Sequence, residues 1–288
     1  MQTTAITDIR DANLPMDGEG RTYHLGLKKG ELANRVLFVG DPDRAKLIRD
    51  NCLDKTTNVF QHSSHRGFET YTSTKNGVPV SIMSIGMGLA MMNFAVTEST
   101  LITEGPKAFI RLGSCGTPNT NIPIGTVVAA TKSVLAQTNY DAFRPAANLR
   151  YYNITQPVEP DTSLHRLMVD RLLANANQVY PVKEASDVTA DNFYGSQGRV
   201  VPGFEYQNEG LIDEIMQADE TTGSLQMETF ELFHLAKIYN STGKIHTAAS
   251  AIVLAHRRSN GFLSNETKHK IEILSGNACL EALTMHKL

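Results

Sequence analysis

The segment Arg35-Val-Leu-Phe-Val-Gly-Asp-Pro-Asp-Arg44 contains the two local patterns that decide the fold of this chain. Its first five residues form a short run of mostly apolar strand formers, which predicts a buried strand. Gly40 ends that run. Asp41-Pro42 then predicts the start of a helix, with Asp as the N-cap and Pro at the first helical position. The segment therefore predicts a strand that passes directly into a helix.

The same alternation recurs along the chain. Apolar runs predict further strands at 78–85, 108–112, 126–130 and 245–255, and helical spacing or helix-like stretches predict helices at 93–103, 228–239 and 266–285. This order predicts an α/β fold, a single domain whose central mixed, largely parallel β-sheet is flanked by helices. Residues 1–20 are polar and aperiodic, and we expect a flexible N-terminal arm before a domain at 21–288.

The composition of the chain argues against some classes of binding partner. The chain has 288 residues and a formal net charge of −3, which gives no overall attraction for nucleic acid or an anionic membrane surface. An anionic ligand would therefore need a local cluster of Arg and backbone N–H groups. Cys52, Cys115 and Cys279 are widely spaced and odd in number, which favours a reducing, cytoplasmic location. We find no apolar stretch of signal-peptide or membrane-spanning type.

Glycines follow several of the predicted strands, and two of these sites have an arginine nearby. Gly40 is followed by Arg44, and Arg111 precedes the Gly113-Ser-Cys-Gly116 segment. Glycine lets the backbone approach a ligand closely, and arginine offers a planar set of donors that matches phosphate oxygens. Each segment by itself is more typical of an ordinary turn, so the anion-binding interpretation depends on their combination.

Two further segments carry side chains suited to chemistry. In Phe193-Tyr-Gly-Ser-Gln-Gly-Arg199, aromatic rings can stack on a flat base while Gln197 and Arg199 hydrogen-bond its edge. The alternative is a surface loop with a buried aromatic. Glu228, in Gln226-Met-Glu228, can accept hydrogen bonds from sugar hydroxyls, although an acidic residue is also ordinary in a first helical turn.

A metal site at His62-Ser-Ser-His65 is the weaker interpretation of that segment. Two histidines three residues apart converge only on a helix, whereas this segment resembles a strand or loop, and the sequence supplies no third ligand. We therefore predict no metal in the functional site.

Taken in order, these motifs resemble one enzyme family. The chain contains His24-Leu-Gly, Gly40-Asp-Pro-Asp-Arg44, Ser64-His-Arg66, Arg111-Leu-Gly-Ser-Cys-Gly116, Phe193-Tyr-x-x-Gln197-x-Arg199 and Met227-Glu228. The series resembles the uridine phosphorylase branch of the nucleoside phosphorylase superfamily over roughly residues 21–285. The segment 193–199 is the part that resembles uridine phosphorylases specifically.

The resemblance implies a pentosyltransferase of pyrimidine salvage that reversibly splits uridine into uracil and ribose 1-phosphate. Inorganic phosphate would be a co-substrate, with no cofactor. It also implies a homodimer with shared active sites, in which Arg111, Arg199 and Glu228 are catalytic. Phosphate would be held by Gly40, Arg44, Arg111, Ser114 and, from a neighbouring subunit, Arg66. The nucleoside would contact His24 of that neighbour together with Gly116, Phe193, Gln197, Arg199, Met227, Glu228 and Arg257.

The chain departs from the family pattern at four positions, and these keep other activities open. Gln226 stands where relatives usually have Glu, His256 replaces Asn, Ser114 replaces Thr, and Cys115 replaces Ser or Thr. A purine or broad-specificity nucleoside phosphorylase is one alternative, although segment 253–257 lacks the Asp of the related purine enzymes. A nucleoside hydrolase would not need the phosphate-binding arginines. A catalytically weakened, nucleoside-binding paralogue is the third alternative, because of Gln226 and His256.

Overall fold

The structure is a computed structural model that describes residues 11–146, 148–241, 243–257, 261 and 263–288. Within these residues a mixed β-sheet is covered by helices on both faces. The strands are β1 (Arg35–Val39), β2 (Phe60–Ser63), β3 (Glu69–Lys75), β4 (Val78–Ser84), β5 (Lys107–Thr117), β6 (Val127–Thr138), β7 (Tyr152–Ile154), β8 (Val182–Ala190), β9 (Thr222–Gln226) and β10 (Ile245–His256). The helices are α1 (Pro42–Cys52), α2 (Leu89–Ile102), α3 (Thr162–Asn175), α4 (Leu211–Ala218), α5 (Thr229–Ile238) and α6 (Asn265–Met285).

Strand β5 is the junction of the sheet. It pairs in parallel with β1 on one side and with β10 on the other, and β1 pairs in parallel with β4. From β10 the pairing continues through β6, β8 and β9, and β9 returns to β5 at the Gly116–Leu225 pair. Five strands therefore close into a ring within the described residues, and β1, β4, β3 and β2 extend from it.

Strand β1 shows why the sheet needs helices on both faces. Its side chains alternate between two apolar clusters, with Leu37 and Val39 in one and Val36 and Phe38 in the other, and all four are fully buried. Helices α1, α3 and α6 contribute to the first cluster, and α2 and α5 contribute to the second. A strand that is buried on both faces has apolar residues at consecutive positions, and this pattern allowed β1 to be predicted from the sequence.

The predicted elements of the α/β domain are confirmed, including the mixed sheet and its flanking helices. Asp41 caps α1 as expected, because its side chain accepts the backbone N–H of Asp43 at 2.9 Å. Strands β2, β3, β7, β8 and β9 and helices α3 and α4 had no separate prediction.

The expected turn at Gly113–Gly116 was wrong. Strand β5 continues through these residues to Thr117. The glycines instead make room for two arginine side chains: a Cβ at Gly113 would overlap the guanidinium of Arg111, and one at Gly116 would come within 2.7 Å of Arg257 Nε. Local sequence could not distinguish a glycine that permits a turn from one that permits close packing.

The N-terminal boundary of the domain stays a prediction. Residues 1–10 of the expected arm lie outside the described residues, and Met16 forms an isolated β-bridge with Thr22. Among the residues described, we find no helix that is both long and apolar enough to span a membrane.

Candidate active site

A cavity of about 470 Å³ lies beyond the ends of β1, β4 and β9 and beside the second halves of β5 and β10. Binding sites of α/β proteins commonly lie at the carboxyl ends of strands, where successive loops converge. The cavity brings together most of the residues proposed from the sequence. They are Gly40, Arg44, Arg111, Ser114, Gly116, Phe193, Gln197, Arg199, Met227, Glu228 and Arg257.

Arg111 is a buried residue of the cavity wall at its anion-binding end. One of its terminal nitrogens, Nη2, donates to the carboxylate of Glu228. Its other donors, Nε and Nη1, are buried and make no hydrogen bond with any described residue. Because a buried unpaired donor is costly and this one is cationic, the arrangement suits an anionic ligand bound in the cavity.

Arg44, the second arginine at this end, is already paired in the structure. Its Nε donates to the buried carboxylate of Glu272 at 2.8 Å, and its Nη1 donates to the carbonyl of Leu112 at 3.3 Å. Lys268 lies 3.6 Å from the same carboxylate and also lines the cavity. The sequence did not single out Glu272 or Lys268, since both belong to the long helix α6 without a motif around them.

Gly40 closes the anion-binding end of the cavity. Its backbone carbonyl accepts the N–H of Gly86 at 3.1 Å, and a Cβ at Gly40 would approach the Gly86 carbonyl to 3.1 Å. The side chain of Asp41, which could have repelled an anion here, is occupied in capping α1.

Glu228 is held in one orientation from two sides. It stands at the N-cap of α5 and is almost completely buried. Its Oε1 accepts the backbone N–H of Gly88 at 2.7 Å, and its Oε2 receives the hydrogen bond from Arg111. The carboxylate is therefore part of the cavity wall and does not cap its own helix. Helix capping, the common role of an acidic residue at the start of a helix, does not explain Glu228.

Gln226, one of the family departures, supports Glu228 through a network of hydrogen bonds. Its side-chain carbonyl accepts the N–H of Glu228 at 2.7 Å and that of Thr229 at 3.2 Å. Its amide donates to Asp187 at 2.7 Å and to Thr189 at 2.6 Å. Although Gln226 lines the cavity, its polar atoms are already engaged in holding the backbone that carries Glu228.

Asp187 is the buried acceptor beneath this network. It is 1% exposed and receives hydrogen bonds from Ser133 at 2.7 Å and Ser224 at 2.6 Å in addition to Gln226. Burial raises the pKa of this carboxyl above its ordinary value, and the hydrogen bonds oppose that rise. No sequence pattern pointed to this residue, because its strand, β8, was not predicted.

Four residues form the opposite end of the cavity. Gln197 is buried, and its side-chain carbonyl accepts from Arg257 Nη2 at 2.5 Å. The guanidinium of Arg199 lies 3.9 Å from the centre of the Phe193 ring, and its Nε is buried without a hydrogen bond to a described residue. Burial lowers the pKa of Arg199, and burial together with Arg199 lowers that of Arg257 to about 10. Both guanidinium groups therefore remain charged at neutral pH.

The three other positions that depart from the family pattern have different surroundings from Gln226. His256 has its Nε2 3.1 Å from the carbonyl of Asn119 and is not part of the cavity lining. Ser114 and Cys115 line the cavity, and burial raises the pKa of the Cys115 thiol well above its usual range. Cys115 is thus an uncharged wall residue at neutral pH.

His24 and Arg66 both contact the side chain of Tyr23. His24 stacks on Phe94 with ring centres 3.8 Å apart, and its Nδ1 is 2.5 Å from a carboxylate oxygen of Glu98. Arg66 is exposed and donates to the hydroxyl of Tyr23 at 3.2 Å. Neither is part of the cavity lining formed by the described residues of the same chain.

The described residues form an α/β fold with a cavity lined by buried arginine and glutamate side chains. The sequence profile of the phosphorylase superfamily matches residues 34–279. The chain therefore belongs to the phosphorylase superfamily.

Within that family, two uridine phosphorylase matches exceed 30% identity and cover most of both chains. The chain is 31% identical to a uridine phosphorylase of Thermococcus kodakarensis over 87% of this chain and 83% of the relative. A solved structure from a study of two uridine phosphorylases of the oomycete Phytophthora capsici superposes with a TM-score of 0.91 at 32% identity, covering 97% and 99% of the two chains. A DeoD-type purine nucleoside phosphorylase of Lactococcus lactis is 37% identical, but over 42% of this chain and 52% of the relative.

Proposed function

We propose that this chain is a uridine phosphorylase, which uses inorganic phosphate to convert uridine reversibly into uracil and ribose 1-phosphate. The observation that carries the proposal is the pairing of two features in one cavity. At one end lies Arg111, whose Nε and Nη1 are buried without a hydrogen bond from the described part of the chain, and at the other lie Gln197 and Arg199. The full-length similarity to uridine phosphorylases supports the same conclusion.

The phosphate end would supply the nucleophile. Arg111, Arg44, Ser114 and the backbone at Gly40 would hold phosphate below C1′ of the ribose, with Arg66 contributed by a second copy of the chain. A phosphate oxygen forms the new bond to C1′ as the bond from C1′ to N1 of uracil breaks, and the electron pair of that bond leaves with the base. Holding both reactants in line supplies a large part of the rate enhancement. The dianion also stabilises the positive charge that develops at C1′.

The ribose would lie between the two ends against Met227 and Glu228. The carboxylate of Glu228 is fixed by Gly88 and Arg111, so it can accept hydrogen bonds from adjacent sugar hydroxyls without rearranging. Arg111 would then contact both the carboxylate and phosphate. This would couple the position of the sugar to that of the nucleophile.

The base end would stabilise the leaving group. Negative charge grows on the uracil oxygens as the glycosidic bond breaks, and Arg199 can donate to them while remaining charged. Gln197 would bind the polar edge of the base, since Arg257 already orients its amide. The ring of Phe193 would pack against the base.

The pyrimidine preference is supported by the residues available to the base. Segment 253–257 has no Asp to protonate a purine ring, and the buried Asp187 is committed to Ser133, Ser224 and Gln226. The Lactococcus lactis purine enzyme is 37% identical to this chain, but the similarity covers 42% of the chain. The support that Gln226 gives to Glu228 argues against a weakened, binding-only role.

The active form would be a cytoplasmic homodimer that needs no cofactor beyond its phosphate co-substrate. His24 and Arg66 both contact Tyr23 and are not part of the cavity lining formed by the described residues, which supports a two-fold interface that completes each site. The three cysteines are buried and unpaired, which fits a reducing compartment.

A substrate comparison tests the proposed activity. Purified protein would be incubated with uridine, thymidine or inosine, each with and without phosphate, and the released base and sugar phosphate measured. We expect uracil and ribose 1-phosphate from uridine, with turnover dependent on phosphate. A preference for inosine would support a purine enzyme, turnover independent of phosphate a hydrolase, and uridine binding without turnover a binding protein.

A further inference from the structure

Three side chains converge at the end of the domain opposite the cavity. They are Asp161 at the N-cap of α3, His246 near the start of β10, and His286 just after α6. One potential ligand atom from each lies within 4.8 Å of the other two. We propose that this Asp161 cluster binds a divalent transition-metal ion of the Zn²⁺ class through two imidazole nitrogens and one carboxylate oxygen.

Asp161 divides its two oxygens between separate tasks. Oδ1 accepts the backbone N–H groups of Ser163 and Leu164, both at 3.0 Å, and so caps α3. Oδ2 lies 2.9 Å from Nδ1 of His246. Since the helix cap uses only Oδ1, a metal ion could bind Oδ2 without breaking the cap.

His286 supplies the second and independent observation. The residue is 5% exposed, and its Nε2 is buried without a hydrogen bond to any described residue. Its ring meets the ring of His246 edge-on, with centres 4.5 Å apart. An unpaired polar atom in a buried site is unfavourable, and coordination to a cation would satisfy it.

Two imidazole nitrogens and one carboxylate oxygen are ligands that Zn²⁺ and similar divalent transition-metal ions bind. Imidazole nitrogen and carboxylate oxygen bind Zn²⁺ at about 2.0–2.2 Å, so tetrahedral ligands lie about 3.4 Å apart. Small side-chain rotations would bring the three ligand atoms to that spacing, and water would complete the coordination. The ion would take the place of the hydrogen between His246 Nδ1 and Asp161 Oδ2, and in a neutral imidazole that hydrogen would move to Nε2 of the same ring.

The position of the cluster predicts a structural role. His246 and Arg257 lie near opposite ends of β10, which places the cluster and the cavity roughly 30 Å apart along the strand. The ion would join the start of α3, the start of β10 and the segment after α6. Arg35 already holds that last segment by donating to the carbonyls of Leu283 and His286. The ion would therefore stabilise the fold without entering the reaction.

Zinc titration of the full chain tests the proposal. Any polyhistidine tag would be removed, the protein treated with chelator, and Zn²⁺ binding followed by calorimetry and by thermal unfolding. We expect one ion per chain, a Tm raised by several degrees, and unchanged uridine turnover. Changing an outer-shell partner of a metal site typically costs 10–100-fold in affinity, so His286→Asn and His246→Asn should each cost about 100-fold or more.

His269→Asn is the matched control, because His269 is an exposed histidine on α6 outside the cluster. It should bind Zn²⁺ as the parent does. Using both cluster variants keeps the test informative if one of them fails to fold, as judged by circular dichroism. Absence of stoichiometric binding by the parent would overturn the proposal. So would binding that survives in a folded cluster variant, or an equal loss in His269→Asn.

Discussion

The side-chain carbonyl of Gln226 accepts the backbone N–H of Glu228 at 2.7 Å, while its amide donates to the buried carboxylate of Asp187 at the same distance. The side chain must therefore accept at one end and donate at the other. A glutamate at this position, as is usual in relatives, would place a second carboxylate against Asp187. Gln226 therefore matches its neighbours in this chain, because it can both accept from Glu228 and donate to Asp187.

We expect Gln226→Glu to destabilise the protein even though it restores the usual family residue. Two buried carboxylates in contact cannot both ionise, and the lost amide donor should cost about 2 kcal/mol or more in unfolding free energy. The pair would bind a proton more tightly when folded than when unfolded, so the deficit should grow as pH rises. Urea unfolding at pH 5 and pH 8 would measure both effects.

A second substitution separates this charge conflict from a general packing defect. Asn in place of Asp187 can donate to a carboxylate at position 226, so Asp187→Asn should offset much of the damage from Gln226→Glu. The coupling free energy between the two changes should reach about 1 kcal/mol or more. Strictly additive effects would show that the two side chains do not oppose each other as described.

Arg44 should contribute to both phosphate binding and stability, and the two effects are separable. Arg44→Ala breaks the buried pair with Glu272 and leaves Lys268, 3.6 Å away, as the remaining cation, so it should cost up to about 3 kcal/mol. It should also raise the KM for phosphate by about 10–100-fold, since a charge-assisted hydrogen bond contributes about 1.5–3 kcal/mol. The variant Arg44→Met/Glu272→Leu should recover stability but keep the high KM. A normal phosphate KM in that folded variant would remove Arg44 from the anion site.

The fold was predictable from sequence where both faces of a strand are buried or where a helix has a clear cap. Strand β1 and the Asp41-Pro42 helix start are examples, because each leaves a local pattern. The residues lining the cavity were predictable because family motifs name them. Asp187 and Glu272 were not, since their importance comes from partners 39 and 228 residues away in the chain. Gly113 was misjudged because the side chain that needs its space belongs to Arg111.

Selection of the base should depend on Gln197. Gln197→Leu removes the groups that would pair with the uracil edge and also leaves Arg257 without its acceptor. Each unpaired buried group costs about 1–3 kcal/mol, so kcat/KM for uridine should fall at least about tenfold. His256→Asn is the control: His256 contacts the Asn119 carbonyl outside the cavity, so kcat/KM should stay close to that of the parent. An unchanged kcat/KM in Gln197→Leu would contradict the assigned base position.

Completion of each active site by a second subunit can be tested by mixing two inactive variants. Arg66 lies outside the cavity of its own chain, whereas Glu228 lines it. Arg66→Ala and Glu228→Ala chains should each be nearly inactive. In a mixed dimer, one site would carry both lesions and the other neither. With random exchange at equal amounts, half of the dimers are mixed and activity should approach about a quarter of the parent value. Sedimentation and mass spectrometry would confirm exchange. If exchanged mixtures stayed inactive, or if a monomer were fully active, Arg66 would not act across the interface.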